Sequence, residues 1–185
     1  MKHPICFALA LTFFAGLAVA QLPTSLEEFK ARVAVEAKDP EKAVKLWFDA
    51  VFVYMTRDKE LGASLITEMM KDKNWRTAMR YKYFVERLNG AQHIFRSYAV
   101  GATPENDYAM DPENYQLDVT VVSRKPFADK AEGEFVKLRL VSGGAVSPRP
   151  ATVEQNSRGE YKLYEIGGLY TEVRIPKSQD KRKDF

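Results

Sequence analysis

The apolar residues of this chain change their spacing once. Before Gly101 they recur every three or four residues, the period of a helix. After Tyr108 they alternate, the period of a half-buried strand. The change falls in residues 101–108, GATPENDY, the densest mixture of Gly, Pro, Asn and acidic residues in the chain. Helices first and strands afterwards, with short turns between successive strands, specify antiparallel pairing and an α+β arrangement. We therefore expect about four N-terminal helices packed on a curved C-terminal antiparallel sheet of about five strands, in one domain over residues 21–176.

The first twenty residues stand outside that pattern. Lys2 precedes an almost wholly apolar run over residues 5–19, and Ala18-Val19-Ala20 is a small-x-small cleavage site before Gln21. This is the pattern of a secretory signal peptide, and the run is shorter than the roughly 20 residues of a spanning helix. We expect an exported protein, periplasmic or extracellular, with no transmembrane segment after cleavage. A lipid anchor is not expected, since the single cysteine, Cys6, lies inside the apolar run. Cleavage would leave a chain without cysteine, and so without a disulfide, a thiolate nucleophile or a thiolate-bound metal. The 28 Lys and Arg less Lys2 leave 27, against 25 Asp and Glu, a net charge of +2. That balance does not argue for a nucleic-acid partner.

Ser25 and Glu28 make a capping-box start, with Leu26, Phe29 and Val33 on one helical face. Asp39-Pro40 starts a second helix, Asp as N-cap and Pro at the first helical position. From Leu46 through Trp47, Phe48, Phe52 and Tyr54 this helix is apolar nearly all round, which marks it as the central element. Asp58 caps a third helix with Leu61, Leu65, Ile66 and Met69 on its buried stripe. A polar break over residues 71–74 precedes a basic fourth helix, expected over 75–88 and closed by Asn89-Gly90 in the left-handed conformation.

Beyond the joint, alternation predicts strands over residues 115–121, 136–140, 152–155, 161–166 and 169–175. Pro176 ends the last, and residues 177–185 read as a charged, disordered tail. The joint itself holds Glu105, Asn106, Asp107, Asp111, Glu113 and Asn114, oxygen donors of the kind calcium uses, but without the spacing of a helix-loop-helix calcium site. No metal or other cofactor is expected: one histidine, His93, remains after cleavage, and neither a nucleophile elbow nor a phosphate-binding glycine loop is present.

The candidate binding residues are Arg96, Tyr98, Glu105, Asn106, Tyr108, Ser147 and Arg149, polar or aromatic groups on irregular backbone. Arg149 stands between two prolines, where its guanidinium has the geometry to grip a carboxylate through two parallel hydrogen bonds. The alternative is that these loops pack on each other and Arg149 pairs with Glu105 or another acid of the domain.

Residues 101–108 and 142–150 (SGGAVSPRP) carry a resemblance. The chain resembles a family of uncharacterised bacterial domains, often exported, with a GATPEN-x-Y element, a strand, an S-G-(A/G)-x-SPRP element and a closing aromatic hairpin. Arg96-Ser97-Tyr98 belongs to the same pattern, which spans about residues 40–176. Residues 71–74 depart from it, standing where a Gly-Pro-containing loop is expected. The resemblance implies the domain boundaries and export, and it implies no reaction. Two functions remain. One is a non-catalytic exported domain that binds a protein, peptide or envelope component. The other is a roll like the nuclear-transport-factor-like folds, with an internal pocket lined by Trp47, Phe52 or Tyr164 for a small ligand or an active site.

Overall fold

A computed structural model describes residues 21–128 and 133–181. The expected signal peptide, residues 1–20, lies outside the described residues. The fold is α+β: the described residues form five helices followed by a four-stranded antiparallel sheet.

Each long helix begins where a side chain can satisfy its free N–H groups. In α1 (Leu26–Glu36) the Ser25 hydroxyl accepts from the Glu28 amide, and Glu28 reaches back to the amide and hydroxyl of Thr24. Asp39 caps α2 (Pro40–Thr56) through the amides of Glu41 and Lys42. Asp58 caps α3 (Lys59–Met69) in the same way. The central position expected of α2 is observed: from Leu46 to Tyr54 every residue is buried. Trp47 lies against Phe48, Phe84 and Phe95 with ring centroids 5.0 to 6.3 Å apart, and Phe52 meets Tyr115 edge-on at 4.7 Å. Trp47 and Phe52 are therefore interlocked core, not the walls of an internal pocket.

One polar group sits within that core. Asp49 is buried and accepts from Arg32 at 3.0 Å, from Lys45 at 2.5 Å and from the Tyr115 hydroxyl at 2.8 Å. It joins α1, α2 and the segment that leads into the sheet.

The expected fourth helix is shorter. Residues 73–77 form turns, Met79–Tyr81 is a single 3-10 turn, and α4 runs over Lys82–Gly90. The cause is Trp75, which turns into the core and donates its indole N–H to Thr67 at 2.9 Å. Gly90 is the last helical residue and has no positive φ, so the expected left-handed cap is absent there. A single turn, α5 (His93–Arg96), leads to the joint.

The sheet is a meander, β1 (Val119–Pro126), β2 (Glu134–Leu140), β3 (Arg149–Gln155) and β4 (Tyr161–Glu165), each antiparallel to the next. The strand expected from residue 115 begins only at Val119, because Tyr115 is drawn into the helical layer by Asp49. The fifth strand expected over residues 169–175 does not form. Met70 bridges Leu163 and the Lys71 amide donates to the Leu163 carbonyl at 2.8 Å, so the outer edge of β4 is already taken. The chain instead folds under the sheet end as a 3-10 turn, Gly167–Tyr170. Lys177–Gln179, expected within a disordered tail, forms another such turn, and the Ser178 amide donates to Asp107.

Val136, Leu138, Leu140, Ala151, Val153 and Leu163 bury one face of the sheet in the shared core with the helices. The other face carries Phe135, Lys137 and Arg139 from β2 and is open.

Candidate functional site

Two irregularities in strand register shape the open face. On β1, Val121 pairs with Leu138 and Ser123 with Lys137, leaving Val122 as an extra residue. On β4, Leu163 pairs with Val153 and Glu165 with Thr152, leaving Tyr164 as the extra one. A bulge inserts one residue and re-aims the side chains beside it. Here Glu165 accepts from the Thr152 hydroxyl at 3.0 Å, and Tyr164 stands 40% exposed beside it with its ring 5.2 Å from that of Phe135.

Tyr164, Glu165 and Thr152 are shared by two clefts. One, of about 420 Å3, runs toward β1 over Phe135, Lys137, Arg124 and Lys125. The other, of about 390 Å3, runs past the end of β4 between Arg80, Tyr81 and Tyr170. We call these two adjoining clefts the groove; the sheet they cross measures roughly 14 Å from β1 to β4 at about 4.8 Å per strand step. The Arg80 guanidinium lies 4.8 Å from the centroid of the Tyr81 ring. Burial pushes the Tyr81 and Tyr170 phenols above their ordinary value, so both remain protonated donors at neutral pH. Four cations line the groove, and Glu165 is its carboxylate among the described residues. Arg80 pairs with Asp72 and Arg124 with Glu134. Lys125 and Lys137 have no acidic partner among the described residues, so their charge is available to a ligand.

The β3–β4 turn sets this register. Gly159 has φ 76°, and Asn156 accepts from the amides of Arg158 and Glu160. Glu160 is buried beneath the turn, held by Arg158 at 2.8 Å, Asn156 at 2.9 Å and Lys162 at 3.4 Å. The hydrogen bond from Arg158, with those from Asn156 and the charge of Lys162, outweighs burial and lowers the Glu160 pKa to about 2 from 4.5. A carboxylate depressed in the folded state stabilises above its unfolded pKa, and that contribution is lost as pH falls through the folded one. The melting temperature is thus expected to fall between about pH 5 and pH 2, and Glu160→Gln to flatten that part of the curve. A variant that loses stability with the same slope as wild type over that window would remove Glu160 as its source.

The seven residues singled out from the sequence do not share one surface. Tyr98 is buried against Phe48, and its hydroxyl donates to the Gly168 carbonyl at 3.3 Å. Burial pushes its pKa far up. Tyr108 is buried, has φ 55°, and donates to the Arg174 carbonyl at 2.6 Å. Asn106 closes a capping box with Thr103 around the turn Pro104–Asn106 and donates to the Gly101 carbonyl. These three hold the joint together. Arg149 opens β3 and donates to the Glu172 carbonyl at 3.0 Å, so neither the carboxylate grip nor the alternative pairing with Glu105 is seen among the described residues. Glu105 pairs with Arg174 instead. Ser147 lies in an exposed bend. Arg96 lines a separate polar cleft of about 350 Å3 with His93 and Asp107. The joint carboxylates also diverge: Asp107 accepts from the Ser178 amide, Asp111 from the Glu113 amide, and Glu113 pairs with Arg57.

The model of the family described as "Domain of unknown function (DUF6935)" matches residues 21–177. The chain belongs to that family. The DUF6935 match covers all four strands and both halves of the groove. No curated protein and no solved structure matches the chain.

Phe135, Lys137, Glu165, Tyr81 and Tyr170 were missed as site residues by reading the sequence, and Tyr164 was assigned to an internal pocket. A signal for one of them was available. Phe135 is out of phase with Val136, Leu138 and Leu140, which places an aromatic ring on the same face as Lys137 and Arg139. An aromatic residue on the polar side of a strand marks either a second packing layer or a binding face.

Proposed function

We propose that this is an exported, non-catalytic binding domain whose ligand lies in the groove across the open face of the sheet. Export rests on the signal-like pattern of residues 1–20. The observation that carries the binding reading is Tyr164, an exposed ring at the junction of two clefts, with the bulge in β4 bringing the Glu165 carboxylate to the same side. A concavity of several hundred Å3 lined by aromatic side chains and a few placed polar groups is the usual make-up of a binding site. One carboxylate in the groove favours binding over two-carboxylate hydrolysis, which needs a pair. Among the described residues no helix is long and apolar enough to cross a membrane. A partner met outside the cytoplasm, in the envelope or beyond it, fits this reading, and nucleic acid does not.

The reading is tested by sedimenting the purified full chain with isolated envelopes of the producing cell. Tyr164→Ala and Lys137→Glu are each expected to lower the bound fraction, by about tenfold in affinity, the loss of one well-placed contact of about 1.4 kcal/mol. Their melting temperatures should stay at the wild-type value, because both side chains are exposed. Undiminished retention of both variants would overturn the groove as the binding surface.

A further inference from the structure

We propose that the groove binds an acidic polysaccharide, with uronate carboxylates at its β1–β2 end and a sugar ring on Tyr164. This rests on the groove being the binding surface. Three features of the groove select the ligand.

The first is the order of chemistry along it. Lys125 and Lys137, without acidic partners among the described residues, lie at one end with Arg124. Tyr81, Tyr170 and Arg80 lie at the other. Glu165 and the Thr152 hydroxyl stand between them. A ligand that fits must be anionic at one end, must donate hydroxyls to Glu165 in the middle, and must present a flat apolar face to Tyr164. A sugar chain that carries carboxylates does all three. Its hydroxyls donate to the carboxylate, and the C–H face of its ring lies on an aromatic ring.

The second is the floor. The backbone groups of β2 and β3 are engaged in ladders on both sides, so the groove offers side chains and not amides. An extended peptide is recognised by adding to a strand edge. The free edge is β1, which is bulged at Val122 and ends in Lys125-Pro126, devices that discourage strand addition. An acidic peptide in the groove would form no backbone ladder with it.

The third is Glu165. Cations and exposed rings would also serve a single-stranded nucleic acid. A linked deoxynucleotide keeps no free sugar hydroxyl to donate to Glu165, whereas each uronate ring keeps hydroxyls beside its carboxylate that can.

Each exposed ion pair contributes little by itself, so affinity should grow with the number of linked units that engage the groove together. The test is titration of the purified full chain with mannuronate oligomers, neutral cellulose-derived oligomers, polyglutamate and oligothymidylate, followed by calorimetry at two salt concentrations. The mannuronate oligomers are expected to bind at least about tenfold tighter than the neutral ones. Their affinity should fall as salt rises. Tyr164→Ala and Lys137→Glu should each weaken mannuronate binding about tenfold, while Tyr164→Phe, which keeps the ring face, should retain it. Equal binding of neutral oligomers would overturn the acidic class. Tighter binding of polyglutamate or oligothymidylate would overturn the polysaccharide, and the groove would still stand if Tyr164→Ala abolished that binding. No binding of any probe, with envelope retention still sensitive to Tyr164, would likewise overturn the polysaccharide alone. Mannuronate binding unchanged in both variants would overturn the groove and the ligand together.

Discussion

Asp49→Ala is expected to lower the unfolding free energy by about 3–5 kcal/mol, the cost of breaking a buried ion pair by removing one partner. Asp49 is 1% exposed, and three donors converge on its carboxylate. Arg32 would keep Glu36 at 2.9 Å. The Tyr115 hydroxyl would keep only the Lys45 carbonyl, at 3.5 Å. Burial, and the neighbouring Asp49 charge, push the Tyr115 pKa well above its ordinary value, so the phenol remains a donor that must find an acceptor. Lys45 would keep its position 3.7 Å over the Tyr115 ring but lose its counter-charge. Urea unfolding should show a lower midpoint with an unchanged slope, as for a loss of stability without a change in the surface exposed. Asp49→Asn, which keeps an acceptor for Tyr115 and loses the charge, should fall between the two. A loss below about 1 kcal/mol for the alanine variant would mean that the three donors find other partners and that Asp49 is no hub.

Gly62→Ala is the second large effect, about 3 kcal/mol or more, at the upper end of overpacking costs. Gly62 faces α2 where α3 crosses it. A Cβ there would stand 2.3 Å from the Tyr54 nitrogen and 2.4 Å from its Cα. The two closest of these are backbone atoms in the last turn of a buried helix, so relief requires the two helices to separate. Separation opens voids around Leu65 and Ile66, which are fully buried. Gly90→Ala is the matched control. It lies at the end of α4 with nothing within 4 Å of a new Cβ. That change should raise stability by about 0.5–1 kcal/mol, because alanine loses less backbone entropy on entering a helix. A Gly62→Ala chain as stable as wild type in thermal or urea unfolding would mean that α2 and α3 do not cross so closely.

The helical half was legible in its sequence because its signals are local. Ser25, Asp39 and Asp58 cap helices within three residues of themselves, and the all-round apolar character of residues 46–54 could only belong to a central helix. The α+β class followed from one change of period. The errors arose where a distant residue overrode a local preference. Trp75 delayed α4 by turning into the core toward Thr67, and Asp49 pulled Tyr115 off the start of β1. The expected fifth strand lost its place to Met70 and Lys71, which lie about a hundred residues earlier, and nothing near residues 169–175 announces them.

The candidate site shows the same division more sharply. Tyr98, Asn106 and Tyr108 stand out in the sequence because irregular backbone and unusual composition stand out. The structure uses them to hold the joint: Tyr108 ties residue 174, and Asn106 closes a turn. The groove residues sit in ordinary-looking strands, and what distinguishes them is the face they point to. Alternation alone assigns Tyr164 to one face and Glu165 to the other. The extra residue in β4 puts the Glu165 carboxylate within reach of Thr152 on the same side as Tyr164. By itself, then, the sequence determined the order of elements, the helix starts, the central helix and the α+β class, all of which depend on contacts within a turn or two of chain. Tertiary structure alone decided the number of strands, the edge partner of β4, the two bulges and thereby the groove. Those depend on which distant segments compete for the same strand edge and on a register shift of one residue, and such a shift moves a side chain across the sheet without changing its composition.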